Sequence, residues 1–315
     1  MNDARLVAAY AACRAIAKRE AKNFYYAFRV LPQHKSDAMC AVYAFMRKAD
    51  DLADDESMSL DARREAMAEW SGAWRASRSE PTDDAVFTAL NDTQKRFGIS
   101  DELLEQLVAG TTLDLEPEPE GVRTLVIEDA AGVARTVQVY ESFAALHQYC
   151  YLVASVVGLV CIRIFGYSDR RAEQLAIDTG IAFQLTNILR DVREDAERGR
   201  IYLSADLLAE YGVEPAHVLA LASSAAPSAA DLALLGAVEK HAQAMYRSGD
   251  ALIPLLDADS RPAMRVLVRI YHRLLDLIAR EPAAVFRARV SVPTSEKLMI
   301  LAGGVAASVK ARVLG

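Results

Sequence analysis

The stretch that decides the fold runs Phe183-Gln-Leu-Thr-Asn-Ile-Leu-Arg-Asp-Val-Arg-Glu-Asp195. Wound as a helix, it places Asn187, Asp191 and Asp195 at i, i+4 and i+8 along one slowly drifting face, with Gln184 one turn earlier. Leu185, Ile188, Leu189 and Val192 take the opposite positions. A row of oxygen ligands beside an apolar row is unusual for a plain surface helix. Upstream, Arg47-Lys-Ala-Asp-Asp-Leu-Ala-Asp-Asp-Glu56 closes an apolar helix that begins near Met39. Asp50 and Asp54 share one face a turn apart, and Asp51 and Asp55 share the adjacent line. Like charges at that spacing destabilise an isolated helix by a few tenths of a kcal/mol. A cation between them removes the penalty, and carboxylate oxygens are hard ligands suited to Mg²⁺. Two solvated acidic helix faces are the plain alternative. If the two helices face each other, they can grip a diphosphate through bridging metal ions. A metal-neutralised diphosphate is a good leaving group, and ionisation at an allylic carbon becomes feasible.

The rest of the chain reads as helix around these two. Helical periodicity recurs over 3–20, 34–54, 60–77, 83–96, 100–113, 140–165, 169–196, 227–256, 258–280 and 293–313, with a short helix opened by Ser204-Ala-Asp206. No repeat and no long linker divides the 315 residues, which predicts a single all-α domain over 1–315, with two small helical domains divided near 116–140 as the plain alternative. One segment breaks the pattern. Two β-branched stretches flank Asp129-Ala-Ala-Gly132, a signal for a β-hairpin over about 122–139. An isolated hairpin is marginal, so it must pack on the helices, and it reads as a surface insertion without chemistry.

At 52% hydrophobic and 25% charged residues the composition is globular, with ample core. The net charge of -7 argues against nucleic acid as a partner. Cys13, Cys40, Cys150 and Cys161 form no CxxC pair and sit with no histidine cluster, which speaks against zinc and for small buried hydrophobes in a reducing, cytoplasmic compartment. The N-terminus lacks the apolar core of a signal segment, and the run Leu152–Phe165, interrupted by Arg163, is shorter than a bilayer crossing needs. It reads as a buried core helix; lying against the inner face of a membrane stays open.

Four strings together carry a family resemblance. They are Asn23-Phe-Tyr-Tyr-Ala-Phe-Arg-Val-Leu-Pro32, Tyr43 to Asp55, Tyr149-Cys-Tyr-Leu-Val-Ala-Ser-Val-Val-Gly158 and Gln184 to Asp195, with Gly199-Arg-Ile-Tyr-Leu-Ser204 after them. Over nearly its whole length the sequence resembles the squalene and phytoene synthase family. That resemblance implies the helical isoprenoid-synthase fold with a central cavity, and two or three Mg²⁺ ions bridging substrate diphosphate. By resemblance, Asp50 and Asp54, with Asp51 nearby, make the first metal motif, and Asn187, Asp191 and Asp195 the second. Arg47, Arg190, Tyr202, Tyr271, Arg289 and Gln184 resemble positions that hold or orient substrate, and Tyr149 stands with Tyr271 among the catalytic positions. Phe24, Phe28, Tyr43, Tyr149, Val153, Val157, Gly158 and Leu185 resemble cavity lining. Arginine suits diphosphate because its planar fork matches phosphate oxygens. Relatives carry hydroxyl or histidine side chains where this chain has Glu20-Ala-Lys-Asn23, so Lys22 is the one candidate for a diphosphate contact there.

The expected reaction is head-to-head joining of two farnesyl diphosphates to presqualene diphosphate, in squalene and hopanoid supply. The alternative is a phytoene or dehydrosqualene synthase, and an inactive scaffold of an isoprenoid assembly is a reading of another class. Paired, repelling carboxylates give a scaffold no benefit, and paired Arg and Tyr ligands suit a second diphosphate better than a one-substrate cyclase does. No dinucleotide fingerprint points to NADPH. His147 and His272 read as structural.

Overall fold

In the computed structural model, which describes residues 3–116, 119–128, 132–223 and 225–314, helices dominate and one small sheet interrupts them. The first half builds a layer from α1 (Asp3–Glu20), α2 (Lys22–Phe28), α3 (Gln33–Ala53), α4 (Leu60–Ala76), α5 (Ala85–Phe97) and α6 (Asp101–Thr112). Side-chain caps start several of them: Ser59 accepts from the Ala62 N–H, Asp84 from Val86 and Phe87, and Ser100 from Leu103. The second half comprises α7 (Phe143–Cys150), a wide π turn over Tyr151–Ser155, α8 (Val156–Phe165), α9 (Arg171–Glu197), α10 (Ala205–Glu210), α11 (Pro215–Ser223), α12 (Ala229–Leu252), α13 (Arg261–Arg280) and α14 (Thr294–Leu314).

Helix α9 is the hub. It packs against α12, α8, the π turn, α11 and α13, while α3 packs against α1, α5, α6 and α8. The apolar row expected of α9 is buried: Leu185, Ile188, Leu189 and Val192 belong to one core cluster with Cys40, Phe45, Phe165, Val238 and Leu275. The π turn lies between two glycines. A Cβ on Gly110 of α6 would come within 2.6 Å of the Leu152 carbonyl oxygen, and one on Gly180 of α9 within 2.6 Å of Ser155 Cα. The 23-residue run Phe143–Phe165 is long and apolar enough to cross a membrane by composition alone. This corrects the sequence reading, which began the run at Leu152 and took it as too short for a crossing; its centre packs between α6 and α9, and 39% of its most apolar stretch is buried.

Strands β1 (Val122–Glu128) and β2 (Ala134–Tyr140) pair antiparallel from Val122↔Tyr140 to Glu128↔Ala134, the expected hairpin extended by one residue. Of its turn, positions 129–131 lie outside the described residues. The hairpin is more than a surface insertion. Val137 and Val139 are buried, and β2 also pairs in parallel with β3 (Arg200–Ile201), directly after α9. The predicted helix over 140–165 starts at Phe143 and is interrupted by the π turn, and the last turn of the helix predicted to 256 is a 3₁₀ turn over Ile253–Leu255.

The close approach at Gly180 sets a stability expectation. Ala is the better helix former, yet Gly180→Ala drives a methyl group into the π-turn backbone between Ala154 and Ser155, and it is expected to cost about 1–3 kcal/mol. Gly236→Ala in α12, where a Cβ meets nothing within 4 Å, is expected to gain about 0.5–1 kcal/mol. Urea midpoints of the two variants measure both; equal shifts would refute the tight packing.

Candidate active site

The end of α3 delivers the first acidic motif to a cavity. Asp50 and Asp54 line a space of about 230 Å³ together with Met46, Leu107, Gly110, Thr111, Tyr149, Leu152, Val153 and Val157. Asp54 sits one residue past the helix, as its C-cap. The other two carboxylates of the motif are engaged elsewhere. Asp51 pairs with Arg47 at 2.6 Å, one turn back, and Asp55 accepts from the Ser57 N–H and hydroxyl, which holds its carboxyl below the usual range. Arg47 keeps a buried Nε without a hydrogen-bond partner among the described residues.

The second motif lies on α9. The Asn187 amide donates to Gln184 Oε1 at 3.3 Å, and its own buried Oδ1 has no partner among the described residues. Asp191 is held from two sides: Arg190 forks onto both of its oxygens, and Arg289 Nε reaches Oδ1 at 3.1 Å. Arg289 also approaches Glu194 at 3.6 Å. Asp195 lines a small pocket with Ile188, Val192, Arg200, Tyr202 and Val218. Its carboxyl is pushed up to about 7, first by burial and then by the negative charge of Asp191, with Arg200 and Arg198 opposing.

A hydroxyl pair joins the two regions: Tyr149 Oη donates to Tyr202 Oη at 3.2 Å. Tyr149 thus touches the Asp50 cavity and the neighbourhood of Asp195. Tyr271 is buried and stacks on Phe183 with centroids 4.4 Å apart, with Phe24 at 5.7 Å on another side. Burial pushes its phenol up to about 12, as it also raises Tyr43. Tyr43 packs edge-on against Phe28.

Of the cavity residues expected from sequence, Tyr149, Val153 and Val157 line the 230 Å³ space. Phe24, Phe28, Tyr43 and Leu185 pack in the core, and a Cβ on Gly158 would lie 3.1 Å from the Ala176 carbonyl oxygen. The Lys22 side chain lies outside the described residues. Sequence reasoning missed Leu107, Gly110 and Thr111 of α6, whose one signal was a glycine inside an otherwise regular helix, and Tyr140, which closes the hairpin.

Among the described residues, no three Asp, Glu, His or Cys side chains converge as a ready-made cation cage. The donor set suits Mg²⁺ completed by the substrate's own phosphate oxygens, since this ion takes one or two protein carboxylates and keeps the remaining positions for water and phosphate. The partnerless Asn187 Oδ1 and the raised Asp195 carboxyl are what such a cation would satisfy.

Two aspartate motifs in an all-helical frame, one on the rim of an apolar-walled cavity and one on α9 beside Arg190 and Arg289, are the pattern of an isoprenoid-diphosphate enzyme. The sequence model for squalene/phytoene synthases matches residues 17–296. The chain belongs to the squalene/phytoene synthase family and is a prenyltransferase. It is 34% identical over 310 residues to the phytoene synthase of Mycobacterium tuberculosis, covering 96% of this chain and 92% of that one. It is 30% identical over 283 residues to the presqualene diphosphate synthase of Rhodopseudomonas palustris, covering 89% and 91%. Among solved structures, a dehydrosqualene synthase superposes with a TM-score of 0.76 at 26% identity over 96% of each chain.

The raised Asp195 carboxyl gives a pH expectation. The folded chain holds this proton more tightly than the unfolded chain, whose value is near 3.8, so metal-free stability falls as pH rises from about 4 to about 7. In chelator, Asp195→Asn should flatten that fall and raise the urea midpoint at pH 8 relative to the parent. A midpoint that drops in parallel with the parent would assign the slope to another group.

Proposed function

We propose that this enzyme joins two allylic isoprenoid diphosphates head to head, with presqualene diphosphate from two farnesyl diphosphates as the product. The observation that carries the reading is the cavity itself. Asp50 and Asp54 form one rim and Leu107, Leu152, Val153 and Val157 an apolar wall, with Tyr149 linking both to Tyr202 and the Asp195 pocket.

Asp50 and Asp54, with Asp51 nearby, and Asn187, Asp191 and Asp195 would hold Mg²⁺, which when bound neutralises diphosphate and makes it a leaving group. Arg47, Arg190, Tyr202 and Arg289 would bind phosphate oxygens, with Gln184 orienting Asn187. Arg190 and Arg289 already place two guanidinium groups beside Asp191, where they could exchange a carboxylate for diphosphate oxygens once a cation takes the carboxylate. Phe24, Phe28, Tyr43, Val157 and Leu185 would exclude water from the allylic cation. Loss of one diphosphate leaves that cation, the double bond of the second substrate attacks it, and loss of one proton closes the cyclopropane. Tyr271 and Tyr43, whose phenols sit above their ordinary values, stay protonated at neutral pH and would be available as hydrogen-bond donors. The departed diphosphate is the proton acceptor.

The Asn187-Ile-Leu-Arg-Asp-Val192 string and the relationship to the Rhodopseudomonas enzyme support the C15 reading. The 34% identity to phytoene synthase favours a second one, in which two geranylgeranyl diphosphates yield phytoene.

Incubation with farnesyl or geranylgeranyl diphosphate and Mg²⁺, with and without NADPH, followed by mass analysis, separates these. A C30 diphosphate accumulating without reductant supports the first reading, a C40 hydrocarbon the second, and squalene formed only with NADPH a complete squalene synthase. Asp50→Ala and Asp191→Ala should each lower turnover by at least about a hundredfold while the fold persists, and chelator should stop the reaction until Mg²⁺ is returned. Near-parental turnover in either variant, or in chelator, would sink the two-motif mechanism.

A further inference from the structure

The hairpin reaches the site through one residue. Tyr140, the last residue of β2, packs its ring against Tyr149 with centroids 5.3 Å apart and against Tyr202 with centroids 5.8 Å apart. Those two rings lie 5.0 Å from each other, so the three form a closed triangle around the Tyr149–Tyr202 hydroxyl contact. The members come from three elements: β2, α7 and the segment after β3.

The same strand also fixes the segment that carries Tyr202. The Gln138 N–H donates to the Gly199 carbonyl at 2.8 Å, and Gln138 and Val139 pair with Arg200 and Ile201. Arg135 donates to the Glu197 carbonyl at 2.9 Å, clamping the end of α9 beyond Asp195. Gly199 sits at φ +75°, where a Cβ would lie 2.7 Å from the Thr136 carbonyl oxygen, so this contact is built for a glycine. Gln138 and Tyr140 share one face of β2, and with Val122, Arg200 and Tyr202 they line a small pocket beneath the hairpin. The root of the insertion is therefore a splint along the second acidic helix, with Tyr140 at its tip nearest the cavity.

We propose that Tyr140 is a positioning residue for the reaction: its ring holds Tyr149 and Tyr202 in register, and so fixes Tyr149 against the Asp50–Asp54 cavity. It need not touch substrate to do so. The assignment rests on the proposed head-to-head reaction for its kinetic consequence, but not for its structural one. Aromatic triangles favour tilted and offset rings over a flat sandwich, and two of these three pairs are near 25° and the third is 46°. A leucine keeps the bulk and loses that geometry, whereas a phenylalanine keeps it.

The test compares Tyr140→Phe, Tyr140→Leu and Tyr140→Ala with Val126→Ser, a change at an exposed position on β1. Misplacing a reacting group by about 1 Å costs up to about a hundredfold, so Tyr140→Leu should lower kcat by about tenfold to a hundredfold with KM within about threefold. Tyr140→Phe and Val126→Ser should stay near the parent. If Tyr140→Ala does not fold, the leucine variant decides. A leucine variant with kcat within about twofold of the parent, or one that raises KM alone, overturns the proposal, as does a phenylalanine variant equally impaired. A second readout stands apart from turnover. In protein labelled with 3-fluorotyrosine, the ¹⁹F resonances of Tyr149 and Tyr202, assigned by loss in Tyr149→Phe and Tyr202→Phe, should move in Tyr140→Leu and not in Val126→Ser. If the parent turns over no prenyl diphosphate, the reaction reading has failed, and the fluorine spectra alone decide whether Tyr140 positions the pair; unmoved resonances overturn it.

Discussion

Between Gly110 and Gly180 the backbone from Leu152 to Ser155 passes with no room for a β-carbon on either side. This contact sets the spacing of α6 and α9 on either side of the π turn, and so the place of the π turn in the cavity wall it shares with α6 and α3. It also explains why the chain widens into a π turn there. Tyr149, Val153 and Val157 are four residues apart, and a regular helix would carry each about 40° further round than the last. A wide turn between them draws that drift back, and all three line the same space. π turns of this kind recur at functional sites because they re-aim side chains without ending the helix.

The charges along α9 are held in tension. Asp191 is gripped by Arg190 and Arg289, and Asp195, one turn on, is left with a carboxyl pushed up towards neutrality. Asn187 buries an oxygen that no described residue satisfies. Each is a local cost that packing alone would have removed. The arrangement makes sense if the site is completed by a cation and an anion together. The arginines then exchange a carboxylate for phosphate oxygens, and the carboxylates exchange an arginine for metal.

Much of this was legible in the sequence, and the parts that were not share a cause. The ligand row and the apolar row of α9 could be read because helical period sorts residues by face within one element, and the hairpin because alternation and turn chemistry are also local. Helix α2 escaped because Lys22–Phe28 follows α1 after a single residue and is too short to show a period. Helix α11 escaped although Pro215 stands at its first position, a known start signal. Strand β3 is two residues long and exists only because β2 lies beside it. The π turn and the roles of Gly110 and Tyr140 are likewise facts about neighbours. The polar half of the site was written along single helices, and most of its apolar wall was written between them.

That division follows from the chemistry the site has to perform. Hard ligands must converge on phosphate oxygens, and a helix face can present them at fixed spacing from its own sequence. A cation on a long apolar chain instead needs water kept away, which takes surfaces from several elements and no particular residue type. The wall therefore has leucines, valines and a glycine from α6, the π turn and α8. Where the two halves meet, neither rule suffices, and a tyrosine pair bridges them with an apolar ring on one side and a hydroxyl on the other. An inserted hairpin reaching that junction acts on both halves at once, because β2 is paired to the end of the ligand helix and its last ring rests on the wall.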